Sequence, residues 1–220
     1  MVKQRSFTIV KGFMIAAVLM FFVCLTVSAQ GQNTARKILI VYFSNPENTD
    51  GTDAVSGASV QIVSGRKVGN VQMVAEIIQR TTGGDLFPIQ TQSPYPKTHK
   101  ELLDYVKQEQ ETNTRPVLST QVRNMAEYDT IFLGYPIWWY TLPLAVSSFL
   151  EEYNLSGKTI IPFCVHGGSG WANTIEIITK LEPQATIKDG FTVSRNTVAR
   201  SERDVSAWLR RLGMVRQGKQ

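Results

Sequence analysis

Cysteine is scarce in this chain, with two residues in 220, Cys24 and Cys164. Cys24 lies in an N-terminal segment expected to be removed, which leaves one thiol and excludes an intrachain disulfide. The core must therefore hold the fold unaided, and the remaining length is ample for one domain. Histidine is as rare, with two residues, and no metal site is expected. A strong charge of one sign is also missing. The chain has 23 basic and 18 acidic residues, and without the basic Lys3, Arg5 and Lys11 the formal charge falls to +2. No nucleic-acid partner follows from that balance. Basic residues do gather late, at Arg195, Arg200, Arg203, Arg210, Arg211 and Arg216, but Glu202 and Asp204 lie among them, and the stretch reads as a solvated helix.

Long apolar runs are confined to the start. Lys3, Arg5 and Lys11 precede an uncharged run from Phe13 to Val27, followed by the small residues of Val27-Ser28-Ala29. This is the pattern of a secretory leader cleaved after Ala29, and it implies a periplasmic or secreted mature protein. The alternative is an uncleaved membrane anchor, for which the run is near the lower limit of ~17 residues. A lipid-attachment site is disfavoured by the bulky Val23 before Cys24. The organisation expected is a leader over 1–29, a linker over 30–36, one domain over 37–212 and a tail over 213–220.

From Lys37 onward, strand and helix signals alternate. Strands are expected at Lys37–Phe43, Asp85–Gln90, Asp129–Leu133, Thr159–Val165 and Ile187–Val193. Helices are expected at Val71–Thr82, His99–Gln110, Leu142–Tyr153, Ala172–Leu181 and Ser201–Leu212. The first strand is a continuous Ile/Val-rich run, as expected where both faces of a sheet are covered. Five strands joined by helical crossovers imply an α/β, doubly wound parallel sheet.

In such a sheet the ligand crevice lies beyond the carboxyl ends of the strands, and three loops there have unusual compositions. The first, Ser44 to Asn70, exceeds the ~12 to 15 residues of an ordinary structureless connection and so carries structure or function of its own. Asn48-Thr49-Asp50-Gly51 and Ser64-Gly65-Arg66 are turn signals, and Val60–Val63 between them is a candidate hairpin strand. The loop closes on Gly69-Asn70 at a helix start, where backbone N–H groups and the helix dipole suit a phosphate. Gly and Asn are also ordinary helix caps.

The second loop, Gly134-Tyr135-Pro136-Ile137-Trp138-Trp139-Tyr140, presents three consecutive large aromatics, which suits a flat aromatic ligand. The alternative is that they cover a helix or a subunit interface. The third loop, His166-Gly167-Gly168-Ser169-Gly170-Trp171, has glycines that let backbone approach a ligand closely. Cys164, within an apolar strand, reads as a small core residue.

Taken together these segments resemble the flavodoxin-like family. The resemblance rests on "YFS" at Tyr42–Ser44, "VGN" at Val68–Asn70, "YDTIFLGYPIWW" at Tyr128–Trp139, "SGKTIIPFC" at Ser156–Cys164 and "HGGSG" at His166–Gly170. It implies a five-stranded sheet of order 2-1-3-4-5 and an FMN-binding redox protein. Ser44, Gly69 and Asn70 would hold the phosphate. Pro136, Ile137 and Trp138 would line the ring with Trp139 nearby, and His166, Gly167 and Gly168 would meet its polar edge. The family pattern continues Gly-Asn-Thr, whereas this chain has Val71, so Thr49, another loop residue or backbone N–H groups would replace the lost hydroxyl.

His166 is the candidate catalytic donor, and its alternative role is to fix its own loop. The function expected is an FMN-dependent oxidoreductase passing electrons from NAD(P)H or a protein donor to a quinone-like or other small acceptor. A one-electron carrier is the alternative, although such carriers use an acidic steering face that this composition lacks. A flavin-free binding module is the third reading. The membrane enters only through an uncleaved leader, and the oligomeric state is not legible.

Overall fold

The computed structural model describes residues 37–45, 60–63, 65–96 and 98–216. The expected leader, the linker and Thr49 lie outside them. The described residues form one compact unit.

The central strands are β1 (Ile38–Tyr42), β4 (Asp85–Pro88), β5 (Thr130–Pro136) and β6 (Thr159–His166). They pair in the order β4-β1-β5-β6, all parallel. The outer edge beyond β6 holds two short pieces, β7 (Thr186–Ile187) and β8 (Phe191–Ser194), both parallel to β6. With that edge taken as one strand, the order is the expected 2-1-3-4-5. A separate antiparallel hairpin, β2 (Val60–Val63) and β3 (Arg66–Gly69), occupies the end of the long first loop.

Strand residues alternate between two cores, as a doubly wound sheet requires. Ile40, Tyr42, Phe132, Ile161 and Phe163 face one side. There they meet Val71, Val74 and Ile78 of α1 (Asn70–Thr82) and Val205, Trp208 and Leu209 of α5 (Glu202–Arg211). Leu39, Val41, Ile131, Leu133 and Cys164 face the other side. That core is closed by Leu102 and Val106 of α2 (His99–Thr112), Val146 and Phe149 of α3 (Leu144–Glu152) and Ile178 of α4 (Thr174–Leu181). Burial pushes the Cys164 thiol up to about 12, so it is a core residue and not a nucleophile.

Three differences from expectation go beyond a shift of one or two residues at an element's end. The third parallel strand, β5, runs on to Pro136, because β6 supplies in-register partners through Val165. The expected fifth strand over 187–193 is broken at Lys188–Gly190. Between the pairs Ile160↔Ile187 and Phe163↔Phe191, two residues of β6 face three of the edge, which is a bulge. Its cause is Pro162. Lys188 N–H donates to Ile160 O at 2.9 Å, so two residues on, Pro162 turns the same way with no proton to offer. Gly190 is required opposite it, since a Cβ there would lie 2.3 Å from Pro162 O and 2.7 Å from the Trp171 ring.

The third difference is the tail, whose first residues are docked. Gly213 N–H donates to Arg210 O and Met214 N–H to Leu209 O, a Schellman closure of α5. Met214 packs on the core that α1 and α5 share, and Arg216 N–H donates to Thr81 O at 2.9 Å.

Candidate functional site

The carboxyl edge of the sheet gathers the described start and end of the first loop and the whole of the second and third. At the β1 end, Ser44 is half-buried and Asn45 is 4% exposed. Neither amide atom of Asn45 has a hydrogen-bond partner among the described residues. A buried amide without partners costs roughly 1 to 3 kcal/mol, so the position calls for a polar ligand.

In a βα unit the helix after β1 starts at this same edge. That helix is α1, whose N-cap is Gly69, with no side-chain cap and no acid in its first turn. Its leading N–H groups and dipole are thus left for an anion. Asn70 is buried at this start, and Val71 points into the core beside Tyr42 and Val74. The departure from Thr to Val thus falls on a packed side chain.

The aromatic loop is a tight turn. Trp138 and Thr141 pair across it, and Trp139 and Tyr140 at its tip have φ of 46° and 60°. Positive φ at both central residues is the type I′ arrangement, which favours Asn-Gly and is costly for two aromatics. The turn throws the three rings apart. Trp138, expected against the ring of a ligand, turns inward instead, edge-on to Phe43 at 5.2 Å and to Tyr95 at 5.3 Å between centroids. Trp139 and Tyr140 stay 48% and 73% exposed. Trp139 is anchored to α2 through Nε1–H donation to Leu103 O at 3.3 Å.

A pocket of about 540 Å³ opens between this turn and the Gly-rich loop, within the ~300 to 1,000 Å³ of small-molecule sites. Its lining is apolar at Leu103, Ile137, Trp139 and Tyr140, from α2 and the turn, and polar at Gly167, Gly168, Ser169 and Arg195, from the Gly-rich loop and the end of β8. Of the ring residues expected from sequence, Ile137, Trp139, Gly167 and Gly168 meet here. Pro136 is buried at the end of β5, Trp138 lies behind the turn, and Ser44, Gly69 and Asn70 stand at the β1 end.

His166 ends β6 beside the Gly-rich loop. Its Nδ1 accepts the Gly168 N–H at 3.0 Å, so the proton of the neutral ring sits on Nε2. Partial burial lowers its pKa from the ordinary histidine value, which disfavours the imidazolium. The Nδ1 contact ties the ring to its loop, and Nε2–H is left as its donor. Gly168, at φ 144°, holds a conformation that side chains rarely adopt.

Arg195 is a correction. It is not on a solvated helix but directly follows β8, its N–H donating to His166 O at 2.9 Å and its guanidinium lying over Gly167. Its place just after the fifth strand was the signal that could have marked it. Leu103 and Asn45 were likewise missed, whereas Tyr140 and Ser169 lie in loops the sequence singled out without an individual role.

A family model described as Flavodoxin matches residues 59–212. Among solved structures, the chain is 28% identical to a candidate flavoprotein from Bacteroides eggerthii DSM 20697, with a TM-score of 0.62 over 80% of this chain and 98% of that one. A candidate flavoprotein from Bacteroides uniformis ATCC 8492 is 26% identical, with a TM-score of 0.60 and the same coverage. A flavoprotein from Lactobacillus acidophilus NCFM, crystallised with FMN, shares the fold at 16% identity and a TM-score of 0.54, over 76% of this chain and 98% of that one. No curated protein matches. The sheet order, the loops gathered at its carboxyl edge and a family match over well more than half of the sequence lead to one conclusion: the chain belongs to the flavodoxin family.

Proposed function

We propose that this edge binds FMN and that the protein is an exported FMN-dependent oxidoreductase. One observation carries the reading: an aromatic-walled pocket and an uncapped, acid-free helix start lie along one carboxyl edge of a flavodoxin-family sheet. The ring belongs between the Trp139-Tyr140 turn and Gly167-Gly168. The phosphate belongs with Ser44, Asn45, Gly69 and Asn70, and Asn45 would exchange an unpartnered amide for hydrogen bonds. When bound, FMN supplies two-electron chemistry, with the protein setting its orientation and electrostatics. The chain's own residues shield one side of the ring with Trp139 and leave Tyr140 at the mouth, where a small donor can approach. A reduced nicotinamide or a protein donor would supply the electrons, and a quinone-like or other small molecule would accept them. The basic, apolar and small-residue pattern over Lys3–Ala29 supports export by a cleaved leader.

The test is a spectrum of the purified protein followed by anaerobic addition of NADH or NADPH. A flavin spectrum, bleaching by the nicotinamide and turnover with a quinone are expected. Absence of flavin after incubation with FMN would overturn the reading. Flavin that is bleached only by a protein reductant would make the molecule a carrier. For export, mass spectrometry of the mature protein should find Gln30 at the N-terminus; intact Met1 in a membrane fraction would make the leader an anchor.

A further inference from the structure

We propose that Arg195 is the residue that sets the reduction potential of the flavin, by placing a positive charge at the dione end of its ring. The inference rests on the FMN reading above. It starts from the mixed lining of the pocket, apolar where Leu103 and the Ile137–Tyr140 turn supply it, with Trp139 bonded to Leu103 O, and polar where Gly167, Gly168, Ser169 and Arg195 supply it, with the guanidinium near Gly167. An isoalloxazine is asymmetric in the same way, with a methylated hydrocarbon end and a dione end. Matching apolar to apolar turns the dione toward Arg195, because a carbonyl desolvated against Leu103 and Ile137 would lose its hydrogen bonds.

The second observation concerns the donors available in that polar lining. The Gly168 N–H, which a Gly-rich loop would be expected to offer to a ligand, is already spent on His166 Nδ1. Burial lowers the pKa of His166, away from its charged form. Arg195 is the charged residue among the described lining, and it is positioned by its backbone, since its N–H extends the β8–β6 ladder onto His166 O. The guanidinium stands within ordinary van der Waals range of a Cβ built on Gly167, with Cζ and Nη1 at 3.7 Å.

Charge decides the consequence. Transfer of a hydride from a reduced nicotinamide adds two electrons and one proton to the flavin, breaking the donor's C–H bond and leaving the donor oxidised. At neutral pH the reduced ring then carries one more negative charge than the oxidised ring, spread over the dione end. A guanidinium there favours the reduced state and raises the potential, which suits two-electron exchange with small molecules. An acidic surround, by contrast, would lower it.

The test compares the parent protein with R195Q and R195K, each loaded with FMN, by spectroelectrochemical titration with dithionite. In R195Q the reduced flavin should lose about tenfold in binding relative to the oxidised flavin, a fall of about 30 mV for a two-electron couple. R195K, which keeps the charge without the fork, should fall less. Thermal melting of the apoproteins checks that both variants fold. An unchanged potential in folded, FMN-loaded R195Q would overturn the role of Arg195 while leaving the FMN reading intact. A parent protein that binds no FMN would overturn both.

Discussion

Trp138 and Thr141 exchange both of their backbone hydrogen bonds, Trp138 N–H to Thr141 O at 3.2 Å and Thr141 N–H to Trp138 O at 3.0 Å. The pair closes a two-residue loop and leaves Trp139 and Tyr140 in left-handed backbone. The fold accepts that strain and obtains an aromatic wall for its pocket. Tyr140→Gly should therefore stabilise the apoprotein, by about 1 kcal/mol, while weakening FMN binding. Thermal melting and fluorescence titration read the two effects. A variant that loses stability would show that the tyrosine ring, not the turn, dominates.

The two tryptophans should separate cleanly. Trp138 sits edge-on between Phe43 and Tyr95, so Trp138→Ala should cost about 3 kcal/mol or more of stability through the cavity it leaves. Trp139 is about half exposed. Trp139→Ala should change stability little and weaken FMN binding by roughly 1 to 3 kcal/mol through lost burial and stacking. Denaturant melts and FMN titrations of both variants check this, and the reverse pattern would restore Trp138 to the ring.

Asn45 tests the phosphate end. The parent should bind FMN far better than riboflavin, because only FMN presents a phosphate to the uncapped start of α1. Asn45→Leu should erode that preference without destabilising the apoprotein, since it removes an unpartnered buried amide. Equal affinity of the parent for both ligands would mean that the long first loop serves something other than a phosphate.

Glu109 should make stability depend on pH. It is buried beneath the aromatic cluster, with the Tyr95 hydroxyl 3.2 Å from each carboxylate oxygen. Burial raises its pKa to about 7, against the opposing influence of the Tyr95 hydrogen bond and Arg115. The folded state therefore holds the proton more tightly than the unfolded chain. This contribution is fully present below the unfolded value near 4.5 and is lost as pH rises through about 7. Glu182, raised to about 7 chiefly by burial, acts in the same direction. Melting temperatures measured from pH 4.5 to 8 should show a smaller fall in Glu109→Gln than in the parent. An identical slope in the variant would remove Glu109 from the account.

Much of this molecule was legible in the sequence because it depends on local pattern. The Ile/Val run of β1, the helical spacing of α1 and α5 and the alternation between them determined a doubly wound sheet, since each signal is carried by residues close in the chain. The loops that would gather at its carboxyl edge followed from the same alternation. What the tertiary structure alone decided is where individual side chains point. Three adjacent aromatics are equivalent in the sequence, and only the Trp138–Thr141 pairing sends the first into the core and leaves the next two at the pocket. Pro162 breaks the edge strand because of the neighbour it faces, a relation between residues about 28 apart. Arg195 reads as one of six C-terminal arginines until β8 ends beside β6 and sets its guanidinium over Gly167. His166 becomes a loop anchor once Gly168 folds back onto its Nδ1. Periodicity specifies which face of an element is apolar, but the direction of a side chain at a strand end is set by contacts across the sheet.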